Sequence, residues 1–417
     1  MNKRVVITLI TVCLFVNSLF SQENIKMMFY NVLNYPLQAP ASRIQDLSII
    51  LDDYRPDVFM ICELNNEEGA DNILNIMQPI NANYQRAVFQ SNTSDDNLGD
   101  QNDLQNMIFY DSSKFILENQ FIVTTTYRDF NHYVLKLKTV NQATNPIYLD
   151  VFVSHLKSSS GTANQQLRLD MVNDLVTYLE TLPSESNVIF GGDLNLYTSS
   201  EPAFQELIDV NNNITFVDPA DRVGSWSNNT NYLDVFTQST RTQTGLGGAT
   251  GGFDDRFDFI LTSENLLTNS DLYYVADSYQ VYGNNNNPNC YNQEINSMDC
   301  DGSEFNQTIR DALYYMSDHL PVTIELHTTE SLSINDVVYN SGIKIVGSNV
   351  INEQLTLSII ENNIKSLTIY NTLGQQVSEF NINHANILTL DVSKLASGIY
   401  YITSPNTLIE PLKFVIQ

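Results

Sequence analysis

The segment from Asn187 to Asn195 constrains the fold of this chain more than any other. A short apolar run, Val188–Phe190, ends in two glycines, and Asp193 and Asn195 follow. An apolar run of this length bounded by glycine predicts a buried strand that ends in a sharp turn. Because side chains two positions apart on an extended backbone point to the same side, we expect Asp193 and Asn195 to lie together at the end of a central strand. Taken alone, the pattern also fits an ordinary turn, in which Gly, Asp and Asn are common.

Polar residues also stand at the ends of other predicted strands. Strand-like runs alternate with helical stripes at Arg43–Tyr54 and Thr162–Leu182, which is typical of an α/β fold. The polar strand-end residues are Asn31, Glu63, His155, Asp193, Asn195, Asp258, Asp318 and His319. One buried Asn or His is usually structural, but so many at one sheet rim predict a ligand site.

The N-terminal segment and the cysteines indicate that the protein is exported. Residues 1–22 combine a basic start with an apolar run, so we expect a secretory signal peptide and no membrane span. Cys290 and Cys300 bracket one polar loop and are expected to pair in an oxidising compartment. Cys62 lies in an apolar run and is expected to be a buried free thiol.

The net charge of −28 argues against a broad basic surface for a polyanion. It does not exclude an enzyme that meets phosphate through divalent cations, because the ions supply the missing positive charge. The glycine-rich segment Gly245–Gly252 is predicted to be a flexible loop. Asp299, Asp301 and Glu304 form a candidate structural Ca²⁺ site, and a solvated acidic loop closed by the disulfide is the alternative.

Six short motifs resemble, in order, those of the endonuclease/exonuclease/phosphatase superfamily. They are Tyr30-Asn31, Cys62-Glu63, Ser154-His155-Leu156-Lys157, Gly192-Asp193-Leu194-Asn195, Arg256-Phe257-Asp258-Phe259-Ile260 and Ser317-Asp318-His319-Leu320-Pro321. The resemblance implies a fold of the broad α/β class. Its architecture is an α+β four-layer sandwich, in which two face-to-face β-sheets are flanked by helices. It also implies metal-dependent hydrolysis of phosphate esters.

The resemblance assigns metal and phosphate roles to five of the strand-end residues. Glu63 matches the principal Mg²⁺ ligand, with Asn31 and Asp318 as further metal ligands. A carboxylate-rich oxygen site suits Mg²⁺ or Mn²⁺ better than zinc. Asp193 is expected to activate or orient the attacking water, and Asn195 to hold the scissile phosphate.

The remaining assignments concern the histidines and the substrate. His319 matches the histidine that is oriented by Asp258, and His155 matches the donor to the phosphate or leaving group. Which of the two moves the critical proton stays open. Arg128 and Asn106 match substrate-binding positions, with a surface salt bridge and a strand cap as the respective alternatives. No carboxylate matches the partner of the second histidine in the deoxyribonucleases.

The C-terminal region, Ile334–Gln417, has short alternating strands and is similar to the sorting domain of type IX secretion. The likeness rests on Ile369–Val377, Leu395–Tyr400 and the terminal Lys413–Val415. Val338-Tyr339-Asn340-Ser341 stands where the usual Tyr-Pro-Asn-Pro opening would be.

Together these observations predict three segments: a signal peptide (1–22), a catalytic domain (23–330) and a small all-β sorting domain (331–417). We expect a monomeric protein that is secreted or surface-bound, is exported through the periplasm by the type IX machinery, and hydrolyses nucleic acid with Mg²⁺ or Mn²⁺. A phosphatase or sphingomyelinase-like phosphodiesterase of the same fold is the first alternative. A non-catalytic surface binding module is the second.

Overall fold

The computed structural model describes residues 23–92, 104–332, 342–360, 364–382, 386–405, 409 and 411–417. The chain divides into two compact units, Met1–Ser333 and Ile334–Gln417. The predicted signal peptide and the segment Val338–Ser341 lie outside the described residues.

Thirteen strands are described in the larger unit. They are β1 (Glu23–Tyr35), β2 (Val58–Leu64), β3 (Tyr84–Arg86), β4 (Gln105–Asp111), β5 (Phe115–Val123), β6 (Phe130–Leu137), β7 (Tyr148–His155), β8 (Val188–Asp193), β9 (Phe216–Val217), β10 (Asp258–Ser263), β11 (Leu272–Tyr274), β12 (Gln280–Val281) and β13 (Val322–Thr328). The α-helices are α1 (Arg43–Tyr54), α2 (Glu67–Met77), α3 (Thr162–Leu179), α4 (Pro202–Leu207), α5 (Asn265–Thr268) and α6 (Gln307–Met316). Short 3-10 helices cover Thr230–Val235, Pro288–Cys290 and Met298–Cys300.

These strands form two mixed sheets. The first has the order β11-β13-β1-β2-β4-β3, with β12 also paired to β13, and the second has the order β5-β6-β7-β8-β10-β9. Each sheet contains one parallel pair, β1–β2 in the first and β7–β8 in the second, and its other pairs are antiparallel.

The two sheets pack face to face with helices outside. Gly191 on β8 permits the close approach, since a Cβ atom there would lie 2.8 Å from the sulfur of Met60 on β2. Apolar residues of α1, α2 and α6 join the cluster that contains the first sheet, while α3 and α4 pack on the second sheet. The predicted four-layer sandwich is confirmed.

The sequence pattern located some elements better than others. The first predicted helix, Arg43–Tyr54, is found with the same bounds, and the second ends at Leu179. Strands β6 and β7 pair antiparallel. Helices α2 and α6 were not predicted, although Asn66 and Asn306 each cap one by accepting a hydrogen bond from the backbone three residues on.

The smaller unit consists of strands, as predicted. They are β14 (Ile343–Ile345), β15 (Val350–Ile351), β16 (Gln354–Ile359), β17 (Ser366–Asn371), β18 (Gln376–Asn381), β19 (Ile387–Asp391), β20 (Gly398–Thr403) and β21 (Leu412–Ile416). They form a three-stranded sheet, β14-β16-β19, and a five-stranded sheet, β15-β21-β20-β17-β18. The apolar residues of both sheets share one core.

The cysteines behave as predicted. Cys290 and Cys300 form a disulfide, and Cys62 is free and buried. The predicted Ca²⁺ site is not found in this form. Among the described residues, Asp299, Asp301 and Glu304 do not bring three ligand atoms together in this loop. Asp301 instead pairs with Arg310 at 2.8 Å, and Glu304 accepts a hydrogen bond from Gln280. Asp301 and Glu304 are therefore engaged by protein donors.

Candidate active site

Strand register brings the polar strand-end residues to one rim. On β8, Asp193 lies beside His155 of the parallel strand β7 and opposite Asp258 of the antiparallel strand β10. In the other sheet, β13 runs antiparallel to β1, with Val322 opposite Phe29. The residues that precede β13 therefore meet the residues that follow Phe29, and both groups face the same end of the sandwich.

The strand that carries Asp193 ends at that residue. Asn195 has a left-handed backbone, φ 51°, and its N–H donates to Asp193 Oδ1 at 3.1 Å. The expectation of an extended segment is therefore wrong at this point, because the chain has already turned. The Asn195 amide is buried and donates to the carbonyl of Leu156 at 3.3 Å.

Glu63 is aimed into the rim by a left-handed backbone, φ 59°. Its Oε2 accepts from the N–H of Asn34 at 3.0 Å. Asn31 Nδ2 lies between two carboxylates, 3.0 Å from Glu63 Oε1 and 3.1 Å from Asp193 Oδ2. Asn31 Oδ1 accepts from the N–H of Leu33, so the amide presents its nitrogen, a donor, to the carboxylates.

Two histidines face the same oxygen of Asp193. His319 Nδ1 lies 2.7 Å from Asp258 Oδ2, and its Nε2 lies 3.8 Å from Asp193 Oδ2. His155 Nε2 lies 3.4 Å from Asp193 Oδ2, and its Nδ1 lies 3.7 Å from Glu63 Oε1. The contact of Asp258 fixes the ring of His319 and leaves Nε2 pointing to the rim.

Burial and crowding shift the pKa values of these groups. Burial, together with the neighbouring Asp258 and Glu63, raises the pKa of Asp193 to about 8 against the lowering effect of His319. Burial and Asp318 raise the pKa of Glu63. Both shifts favour the protonated carboxyl groups, and a positive charge at the rim would oppose them.

The histidines shift in opposite directions. Burial alone would lower the pKa of His319, but Asp258, Asp318 and Asp193 together hold it well above its ordinary value. Burial and the positive charge of Arg128 put the pKa of His155 well below its ordinary value. At neutral pH, His319 therefore carries a proton more readily than His155.

The rim has the donors of a divalent-cation site. Two groups of ligand atoms lie within 4.8 Å of one another, one from Glu63, His155 and Asp193 and the other from Asp193, Asp258 and His319. Asp318 and Asp258 each keep a buried carboxylate oxygen without a hydrogen-bond partner among the described residues. Such oxygens suit Mg²⁺ or Mn²⁺, and their crowding favours a cation, so the residues fit a metal of that class.

Asp318 is held by a segment to which the sequence pattern gave no role. Its Oδ2 accepts from the N–H of Ala249 at 2.6 Å, and Gln238 Nε2 lies 3.4 Å away. Gln238 Nε2 also lies 2.5 Å from His319 Nε2. Gln238 thus contacts two of the predicted site residues.

The neighbours of Gln238 support the rim in the same way. Thr237 Oγ1 accepts from the N–H groups of Phe257 and Asp258, and Thr240 Oγ1 donates to the carbonyl of Ser317. The sequence signal for these supporting residues is weak: polar residues follow the apolar pair Val235-Phe236. Many surface loops share this pattern, so it does not identify a functional segment.

The glycine-rich segment, predicted to be flexible, is held against Asp318. Arg241 donates to the carbonyls of Leu246 and Gly247. Gly248 has φ 74°, and a Cβ atom there would lie 2.5 Å from the carboxylate carbon of Asp318. The glycine is therefore required for close approach as well as for backbone conformation.

The two predicted substrate residues lie at different depths. Arg128 NH1 donates to the carbonyls of His155 and Leu156, at 3.4 and 3.1 Å, so the side chain lies at the rim. Asn106 is buried, and its Nδ2 donates to the Asp129 carbonyl and to Asn131 Oδ1. Its contacts are those of a residue that supports the Arg128 loop.

Sequence comparison identifies the family. Residues 28–319 match the Endonuclease/Exonuclease/phosphatase family, and the chain belongs to it. Its members are generally hydrolases of phosphate esters and generally use a divalent metal. The chain therefore belongs to a family of phosphodiesterase-type and nuclease-type enzymes.

Solved structures of the same family are similar to this chain. The human Nocturnin catalytic domain with bound sulfate has 15% identity and a TM-score of 0.45, over 74% of this chain and 98% of that chain. D. rerio TDP2 complexed with single-strand DNA product has 16% identity and a TM-score of 0.46, over 73% and 99%. A family protein from Bacteroides thetaiotaomicron has 13% identity and a TM-score of 0.43, over 74% and 99%. No curated protein matches the sequence.

The C-terminal unit determines the destination. Residues 348–416 match the Secretion system C-terminal sorting domain. This domain indicates export by the type IX system to the cell surface or outside, and interaction with that system. No helix in the described part of the chain combines the length and apolar composition that crossing a bilayer would need.

Proposed function

We propose that this chain is a secreted, divalent-metal-dependent phosphodiester hydrolase that acts as an extracellular endonuclease. The observation that carries the proposal is the convergence of Glu63, His155, Asp193 and His319 on one buried rim, with His319 oriented by its 2.7 Å contact to Asp258. In the proposed division of the chain, residues 23–330 perform the chemistry and residues 331–417 serve export.

Glu63 would hold the metal ion, with Asn31 and Asp318 completing its protein ligands and Asp193 beside it. When bound, a divalent ion would neutralise the charge on the phosphate. Asn31 would contribute through Oδ1, which requires its amide to turn and give up the Leu33 contact. The buried Asp318 oxygen, which has no hydrogen-bond partner among the described residues, supports its place in this set.

The residues around Asp193 would carry the proton transfers. Asp193 accepts a proton from the attacking water, for which its raised pKa is well suited. His319 carries a proton at Nε2 when the Gln238 amide turns its oxygen towards it, and donates that proton to the leaving oxygen as the bond between phosphorus and that oxygen breaks. The raised pKa of His319 favours this role. His155, with a lowered pKa, acts as a neutral hydrogen-bond donor, and Asn195 and Arg128 position the phosphate.

A substrate panel tests the proposal. Plasmid DNA, RNA, sphingomyelin and p-nitrophenyl phosphates are each incubated with the full chain in Mg²⁺ and in EDTA. We expect metal-dependent cleavage of nucleic acid, with circular plasmid opened. Release of phosphocholine alone would favour the sphingomyelinase-like alternative, and release of phosphate from monoesters would favour a phosphatase. Failure on every substrate would favour the binding module.

A further inference from the structure

Arg128 is a rim cation of this acidic chain that has no ion pair with a described carboxylate. The sequence has 48 acidic and 20 basic residues. Within the described part of the larger unit, eight basic residues form ion pairs with carboxylates: Arg55, Arg86, Lys114, Lys136, Arg168, Arg222, Arg256 and Arg310. Arg128 instead donates to two backbone carbonyls at the rim, and none of the described carboxylates forms an ion pair with it. Its charge is therefore available to an anion.

A second cation shares the ring against which Arg128 packs. The Arg128 guanidinium carbon lies 5.0 Å from the ring centre of Tyr127, and Lys157 Nζ lies 5.4 Å from it. Lys157 Nζ also donates to the carbonyl of Ser158 at 3.0 Å. Two positive charges at one ring attract an anion. We call Tyr127, Arg128 and Lys157 the Tyr127 cluster.

The fold holds this cluster in place. Arg168 NH1 donates to the carbonyls of Lys157 and Ser159, at 2.7 and 2.9 Å, which fixes the turn after β7. Arg168 is itself buried and paired with Glu201 at 2.6 Å. The backbone that carries Lys157 is thus preorganised, which lowers the entropy lost when a ligand binds.

The cluster adjoins the proposed reaction site. Arg128 shares the carbonyl of Leu156 with the amide of Asn195, one residue beyond His155. His155 Nε2 is 3.4 Å from Asp193 Oδ2. Arg128 and Lys157 therefore lie beside the position that a phosphate at Asp193 would occupy.

We propose that the Tyr127 cluster binds a second phosphate of the substrate, next to the scissile one, with Lys157 as its distal contact. This inference rests on the proposed function and narrows it to a polynucleotide strand, which carries a phosphate at every residue. A phosphocholine headgroup places a quaternary cation beside the scissile phosphate, and the like charges of Arg128 and Lys157 disfavour it there.

Three dinucleotides test the subsite. TpT has only the internal phosphodiester, whereas pTpT and TpTp add a terminal phosphate on either side. With the full chain in Mg²⁺, we expect one of the phosphorylated pair to exceed TpT in kcat/KM by on the order of tenfold, mainly through KM, because a remote contact strengthens ground-state binding. Lys157→Gln should abolish that preference and leave turnover of TpT and of bis-p-nitrophenyl phosphate unchanged, while Lys157→Arg should retain it.

Lys138 supplies the matched control. It follows the opposite end of β6, where Nζ donates to the carbonyl of Ser112, so Lys138→Gln removes the same charge away from the rim. We expect this variant to keep the preference. A general effect of net charge would instead weaken both variants equally, and would overturn the proposal.

The remaining outcomes separate the subsite from the proposed function. Hydrolysis of bis-p-nitrophenyl phosphate without any preference among the dinucleotides would contradict the subsite and leave the phosphodiesterase intact. If no phosphodiester is hydrolysed, the proposed function fails. Binding of a fluorescent thymidine tetranucleotide in EDTA then tests separately whether the Tyr127 cluster binds phosphate. There we expect severalfold weaker binding for Lys157→Gln than for Lys138→Gln, and equal binding would contradict the subsite.

Discussion

Gln238 shows how a single side chain without a charge joins two parts of the rim. Its amide nitrogen lies 2.5 Å from His319 Nε2 and 3.4 Å from Asp318 Oδ2. Both partners come from the segment before β13, whereas Gln238 comes from the segment before the glycine-rich loop. The contact therefore positions the proposed acid and a proposed metal ligand relative to each other.

We expect Gln238→Ala to lower kcat by on the order of tenfold with KM little changed, because a positioning contact worth about 1 kcal/mol is lost at the reacting groups. Steady-state kinetics on the best substrate of the panel measure this. Gln243→Ala, an exposed position of the same loop, is the control and should retain parental kcat. A rise in KM alone would show that Gln238 binds substrate instead.

The His319–Asp258 pair gives a pH-dependent stability. The pKa of His319 is raised in the fold, so its contribution is fully present below the unfolded value of 6.5 and is lost as pH rises through the folded pKa. We expect Asp258→Asn to reduce the free energy of unfolding in EDTA by about 2 kcal/mol near pH 6. The reduction should be smaller near pH 9. Urea unfolding at both pH values measures it, and a reduction that grows with pH would contradict the assignment.

At the scale of elements, the sequence predicted what periodicity and strand-end chemistry can reveal. The strands carrying Glu63, His155 and Asp193 were recognised because apolar runs precede each residue. The support from Thr237 to Arg241 was missed because its contacts are long-range in sequence: Thr240 reaches Ser317, and Arg241 reaches the carbonyls of α6. The glycine-rich loop was predicted to be flexible because its composition cannot reveal the Arg241 guanidinium beneath it.

That loop supports a prediction about its glycines. Gly248→Ala should reduce kcat by on the order of tenfold or more, because the new methyl group would displace Asp318, whose carboxylate carbon lies 2.5 Å from the Cβ position. Gly251→Ala is the control: its φ is also positive, at 125°, but no atom of the described residues lies within 4 Å of its Cβ position. Kinetics together with thermal unfolding separate the two effects. Equal losses of activity would mean that backbone strain, and not the Asp318 contact, is responsible.

In the whole molecule, the proposed site residues and the sorting domain fall in different compact units. All the proposed site residues precede Pro321, and the match to the sorting domain begins at residue 348. Leu332 still pairs with Thr139 of the larger unit, so the structural end of that unit lies slightly beyond the predicted boundary at 330. The larger unit also has its own apolar cores.

We therefore expect a chain ending at Leu332, expressed without residues 1–22, to fold and retain near-parental specific activity. In the native host, the same truncation should leave the protein in the periplasm, while the full chain reaches the surface or the medium. Cell fractionation and activity assays measure both. A folded but inactive truncation would show that the sorting unit contributes to the site.

In the proposed mechanism, a divalent ion held by the carboxylates of this rim enables phosphodiester hydrolysis. The most direct measurement is the rate of bis-p-nitrophenyl phosphate hydrolysis as Mg²⁺ is titrated into the EDTA-stripped full chain, compared with Glu63→Gln. We predict no turnover in EDTA, full recovery with Mg²⁺ or Mn²⁺, and a variant that needs a Mg²⁺ concentration higher by on the order of tenfold or more. Full activity after exhaustive chelation, or an unchanged Mg²⁺ requirement in the variant, would contradict the account.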